Sequence, residues 1–175
     1  MSVARPISAV MRVPALPSRD LQELWFATRR RDWHTLVMVP ASPGGSALSI
    51  AKALGEVGGF IRMSPVQVVN AEGMDLGKIA ALVLDMNAAA TSTAWTMNAP
   101  LAQAPAGWDP GARLDATIVA LESVVSNPLA LPVALAADAV LLCVEMGKSD
   151  VEGARHTIEL IGRDRIIGSV LLRGS

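Results

Sequence analysis

The stretch Thr35-Leu36-Val37-Met38-Val39-Pro40-Ala41-Ser42-Pro43-Gly44-Gly45-Ser46, continuing through Ala47-Leu48-Ser49-Ile50 to Val57, decides the fold. Thr35–Val39 is an apolar, β-branched run of the kind that forms a strand buried on both faces. Pro40–Gly45 is dense in proline and glycine and predicts a turn. From Ser46 to Val57 the residues Ile50, Leu54 and Val57 recur at helical spacing, and Gly58-Gly59 is expected to end that helix. A strand, a glycine turn and a helix in this order aim backbone N–H groups and a helix N-terminus at one point, which is how a phosphate-binding loop cradles an anion. The pattern that such a loop requires, G-x-x-x-x-G-K-[ST], is nevertheless not met, because no lysine stands at the turn.

Outward from this centre, apolar strands alternate with amphipathic helices. Ser18 is placed to cap a helix with Leu21, Leu24, Trp25 and Thr28 on one face, closed by Arg29-Arg30-Arg31, which predicts a solvated helix end. Beyond the first βα unit come a strand at Val66–Val69, a helix at Leu76–Met86, and a Thr/Ser/Asn/Pro/Gly-rich section at 87–111 with no periodicity. Ala116–Leu121 is the next strand, and Asn127 with Pro128 starts a helix ending near Asp138. Ala139–Val144 is a wholly apolar strand, and Ser149-Asp150-Val151-Glu152 is a capping box opening a helix with Val151, Ala154, Ile158 and Ile161 inward. Ile166–Leu172 is the last strand. Continuous apolar strands separated by helices predict an α/β fold, with a mostly parallel sheet flanked by helices on both faces. Residues 1–17 are expected to form an extended leader, and 18–175 a single domain.

The whole chain sets further bounds. With 175 residues and 51% hydrophobic content it can bury a substantial core. Its 15 basic and 16 acidic residues nearly cancel, so no global field favours nucleic acid. Cys143 is the one cysteine, and no Cys/His cluster has metal-ligand spacing, so no metal site is expected. Its place in an apolar strand predicts a buried small hydrophobe. No stretch of about 18 apolar residues is present to span a membrane, and no apolar segment of a signal peptide develops near the N-terminus. The expectation is a cytoplasmic protein, peripheral to the inner membrane through a partner.

With these landmarks in order, the chain resembles the cytoplasmic ATPase domain of bacterial polysaccharide-biosynthesis tyrosine kinases and, more distantly, the septum-site and plasmid-partition ATPases. The likeness spans residues 18–173, with little carried by 74–112. Ala137-Asp138-Ala139-Val140-Leu141-Leu142-Cys143-Val144 is similar to the family's "AD-x-VLLVV" strand, Gly147-Lys148-Ser149 to its "GKT" turn, and Ile167-Gly168-Ser169-Val170-Leu171-Leu172 to its "LGVVLN" ending. Pro43-Gly44 matches the start of its "PGEGKST" loop. In that alignment Gly45 replaces the acidic residue, Ser46 the second glycine and Ala47 the lysine, Leu48 falls at the serine, and Ser49 keeps the last hydroxyl. Asn70-Ala71-Glu72 stands at the family's "DAD", and Ala120 where its magnesium-linked aspartate belongs. The resemblance implies a P-loop NTPase-like three-layer sandwich with a degenerate nucleotide site at Gly44, Gly45, Ser46, Ala47, Ser49 and Glu72.

Phosphoryl transfer rests on positioning and charge neutralisation, so loss of the lysine and the aspartate removes most of the available stabilisation. The family's autophosphorylated tyrosine cluster has no counterpart, since the chain contains no tyrosine. The other ionisable groups have plain readings: Lys52, Lys78, His34 and His156 on the surface, and Glu72 and Glu122 as exposed loop acids. The resulting expectation is a non-catalytic accessory or scaffold protein in exopolysaccharide or capsule biosynthesis and export, without a cofactor. It would contact a membrane-embedded copolymerase or synthase, and also a second copy of itself or an active homologue. Leu21, Leu24, Trp25 and Phe26 form the candidate contact, the rival being that both aromatics pack on this domain's own core. Two alternatives remain open: a weak ATPase or nucleotide-sensing switch using ATP or ADP with magnesium on Ser49 and Glu72 as base, and a cell-division or positioning regulator that inhibits a partner by binding.

Overall fold

A computed structural model describes residues 18–91 and 116–173. The expected leader, 1–17, lies outside them, as does most of the section at 87–111. The described residues form a five-stranded, all-parallel sheet in the order β2-β3-β1-β4-β5, where β1 is Thr35–Pro40, β2 Gln67–Asn70, β3 Thr117–Ala120, β4 Ala139–Met146 and β5 Ile166–Arg173. Helices α1 (Arg19–Thr28) and α2 (Leu48–Arg62) cover one face, and α3 (Leu76–Thr91), α4 (Ala130–Ala136) and α5 (Val151–Ile161) the other. This is the three-layer α/β/α sandwich of the P-loop NTPase-like kind.

β1 explains the arrangement. All six of its residues are buried, with Val37 and Val39 in the core under α3, α4 and α5, and Leu36 and Met38 in the core under α1 and α2. Successive strand side chains point to opposite faces, so only an apolar run serves a strand covered on both. Asp138, just before β4, accepts the N–H groups of His34 and Thr35 at 2.9 and 2.8 Å and so ties the starts of the two central strands together.

Three expectations at element ends are corrected. Gly58-Gly59 does not stop α2. The helix runs on to Arg62 and ends at Met63, which is left-handed at φ 52°. Gly58 is there for packing: a Cβ on it would stand 2.3 Å from the Trp25 ring. The cap of α5 is Asp150, whose carboxylate accepts the Gly153 N–H, whereas Ser149 Oγ turns back to accept Glu145 N–H at 2.9 Å. Asn127 Oδ1 accepts the Leu129 N–H in a turn, and α4 begins only at Ala130. In addition α3 extends to Thr91, past the expected Met86.

α1 buries the face its spacing predicts: Trp25 and Thr28 fully, Leu21 and Leu24 in part. Trp25 meets Trp33 edge to face at 5.8 Å between ring centroids, and Arg29 lies 4.8 Å over the Trp33 ring while donating to the Trp33 carbonyl at 2.7 Å. Arg31 reaches the Asp164 carbonyl at 2.7 Å. The arginine triplet is thus partly structural and not simply a solvated helix end.

Candidate functional site at the β1–α2 turn

The chain passes from β1 leftward in the sheet to β2, then from β3 across β1 to β4, so the crevice at the C-terminal end of β1 is the topological switch point where open α/β sheets bind ligands. The turn Ala41–Ala47 occupies it. Its first residue is fixed by Ala41 N–H donating to the Cys143 carbonyl at 2.7 Å, and by Thr157 Oγ1 of α5 donating to the Ala41 carbonyl at 3.2 Å. Asp150 N–H donates to Ser42 Oγ at 3.0 Å. Gly44 has φ +77°, the left-handed region that favours glycine, and a Cβ at Gly45 would fall 2.9 Å from Pro40 Cβ.

The mouth of the turn is filled from within. Glu72, beyond the end of β2, accepts the Ser46 hydroxyl at 2.7 Å and the Ala47 N–H at 3.0 Å with one carboxylate oxygen. α2 needs this, because its N-cap, Ala47, has no side chain with which to satisfy the first N–H groups. A carboxylate at a helix N-terminus is also favoured by the macrodipole. Ser46 Oγ completes the cap by accepting Leu48 N–H at 3.3 Å. Glu72 is held in turn by its own N–H, which donates to Asn70 Oδ1 at 3.0 Å. Next to it, Glu122 Oε1 accepts Gly73 N–H at 2.8 Å and Asn127 Nδ2 at 2.9 Å, joining the loops after β2 and β3.

Of the six residues expected at a degenerate site, Ser46, Ala47 and Glu72 are brought into direct contact, and Gly44 and Gly45 shape the turn. Ser49 is exposed on the first turn of α2. Glu72 and Glu122 are half-buried and hydrogen-bonded, which corrects their reading as exposed loop acids. Ala47 and Ala120, which the motif resemblance sets against a lysine and an aspartate, are fully buried among apolar neighbours. Lys52 is exposed, Lys78 pairs with Asp75 and Lys148 with Glu145. Burial pushes the Cys143 thiol up to about 12, so it is an inert core group. No group of three or more His, Cys, Asp or Glu among the described residues could hold a metal ion. Trp25 is 2% exposed and Phe26 59%, so of the two α1 aromatics only Phe26 offers its ring to a partner.

The link from Glu72 to Ser46 and Ala47 was missed in the sequence because it spans two loops. The only signal available was an acid after the second strand paired with a helix that lacks its own cap. Among the described residues no helix is long and apolar enough to cross a membrane. No protein-family model matches the chain, and no curated protein matches it.

Proposed function

We propose that this chain is a non-catalytic, ATPase-like accessory protein that acts by protein–protein contact, with its former nucleotide site kept as scaffold. The observation that carries this reading is the Glu72 carboxylate on the Ala47 N–H and the Ser46 hydroxyl, donors that an active loop would turn toward phosphate. An incoming phosphate would have to displace an anion already in place, with no lysine at the turn to compensate. The resemblance of its motifs supports a place in exopolysaccharide or capsule biosynthesis and export, docked on a membrane-embedded copolymerase or synthase.

Calorimetric titration of the full chain with ATP and ADP, with and without magnesium, tests the dead site. The expected outcome is no binding up to about millimolar nucleotide, weaker than about −4 kcal/mol. Micromolar binding would overturn the reading, and turnover that disappears in Glu72→Gln would make the chain a slow ATPase. Co-purification from membranes with a polysaccharide export protein is expected; recovery with a division protein would move it to the positioning regulators.

A further inference from the structure

We propose that the end of the sandwich at which the strands begin is a membrane-facing surface that binds anionic phospholipid directly, through arginines with no acidic partner and the exposed apolar residues Phe60 and Met63. The Glu72 turn lies at the opposite end, so this holds whether or not nucleotide binds there. It is also separate from docking on a membrane protein, because lipid alone is enough.

All five strands are parallel, so the segments leading into them gather at one end. Arg29, Arg30 and Arg31 precede β1, and Arg163 and Arg165 precede β5. The two groups meet: Arg31 donates to the Asp164 carbonyl at 2.7 Å, and Arg165 to the Ala137 carbonyl at 3.2 Å, next to the Asp138 that ties down His34 and Thr35. Among the described residues none of these five arginines is paired with a carboxylate, whereas Arg19, Lys78, Lys148 and Arg155 each meet an acid three or four positions away. Arg29, Arg31 and Arg165 are held by backbone carbonyls, which fix the guanidinium without cancelling its charge. Of the acids at this end, Asp138 is spent on two N–H groups, and Asp32 and Asp164 are exposed. Five guanidinium charges thus outnumber three carboxylates.

The same end carries a second, independent feature. α2 finishes there, its last turn presenting Phe60, 47% exposed, and its C-cap Met63, 95% exposed. Exposed apolar tips among guanidiniums fit a bilayer interface, where the tips enter the acyl boundary while the cations stay with the phosphates. Arginine suits that role better than lysine, because its planar fork bonds a phosphate through two N–H groups. A nucleic acid would use the arginines and leave Met63 in water. The opposite end carries Glu72, Glu122, Asp150 and Glu152, none of them in an ion pair among the described residues. The negative potential of an anionic leaflet therefore attracts one end and repels the other, which orients the molecule although its net charge is only −1.

Co-flotation of the full chain with vesicles tests the proposal, comparing phosphatidylcholine alone with phosphatidylcholine containing about one third phosphatidylglycerol. Retention by the anionic vesicles is expected, with little by the neutral ones, and it should fall several-fold as salt is raised from about 0.1 to 0.5 M. Arg30→Glu combined with Arg163→Glu should abolish retention with the far-UV circular dichroism unchanged, because both side chains are exposed. Met63→Gly should weaken it several-fold although glycine suits the left-handed backbone there, so loss of the fold would not account for that result. No retention by anionic vesicles, equal retention by neutral ones, or retention indifferent to either variant would each overturn the proposal. So would tighter binding to double-stranded DNA that Met63→Gly leaves unchanged.

Discussion

Gly58 sets two effects of one added methyl against each other. In a helix interior, alanine is favoured over glycine by about 1 kcal/mol. At this position, however, the new Cβ would meet three atoms of the Trp25 ring at 2.3 to 2.8 Å. That ring is buried and braced edge-on against Trp33, so it cannot swing aside. Overpacking costs about 1–3 kcal/mol, so Gly58→Ala should lower stability by up to about 2 kcal/mol net. At Gly59 the nearest atoms to an added Cβ are 3.6 and 3.8 Å away, an ordinary contact, and Gly59→Ala should raise stability by up to about 1 kcal/mol. Urea unfolding of the two variants checks the opposite signs. Cys143 gives a second prediction at this scale. Its thiol is held neutral to about 12 in the fold, while in the unfolded chain it ionises near pH 8.5. Above that pH the unfolded state binds one proton fewer, so stability should fall by about 1.4 kcal/mol per pH unit up to pH 12. Below it the group contributes no slope. Comparing the slope with that of Cys143→Ala between pH 8 and 10.5 isolates it from the lysines.

Helix α2 is finished at both ends by residues that helix rules would not choose. Its N-cap is an alanine relieved by Glu72, and its C-terminal left-handed residue is Met63 rather than glycine. Met63 is 95% exposed, so its side chain contributes no packing that glycine would lose. Met63→Gly should therefore stabilise by about 0.5–1 kcal/mol, and Glu72→Ala should destabilise by about 1 kcal/mol, both read as shifts in thermal midpoint. These ends also mark the limit of what the sequence told. The strands, the turn and the order of elements followed from apolar runs and periodicity, and the structure places them within a few residues. Gly58-Gly59 misled because a glycine that makes room for Trp25 looks the same in sequence as a glycine that ends a helix. Ser149 and Asp150 both qualify as caps, and only the return of Ser149 to Glu145 separates them. Val151 fits an inward stripe by spacing, yet α5 turns Thr157 and Ile161 to the core instead. In the site, Gly44 and Gly45 were legible as a turn, but the Glu72 contact depends on how two loops meet across the sheet.

At the level of the whole molecule, two apolar cores on either side of one sheet hold the loops after β1, β2, β3 and β4 at a common end. Ser42 and Asp150 join there, as do Ser46 and Glu72, and Glu122 and Asn127. Within this frame the carboxylates of Glu72 and Glu122 accept the Ala47 and Gly73 N–H groups, so the loops brace one another. The central place of β1 also bears on how the chain is made. Thr35 pairs with Thr117, and Leu36 with Ala139, so β1, the first strand among the described residues, must wait for β3 and β4 to be made before either of these pairings can form. Such non-local pairing folds slowly, and the waiting segment is wholly apolar. During synthesis, Thr35–Pro40 is thus the natural docking point for chaperones that grip extended hydrophobic peptides, and expression of this protein should depend on their supply.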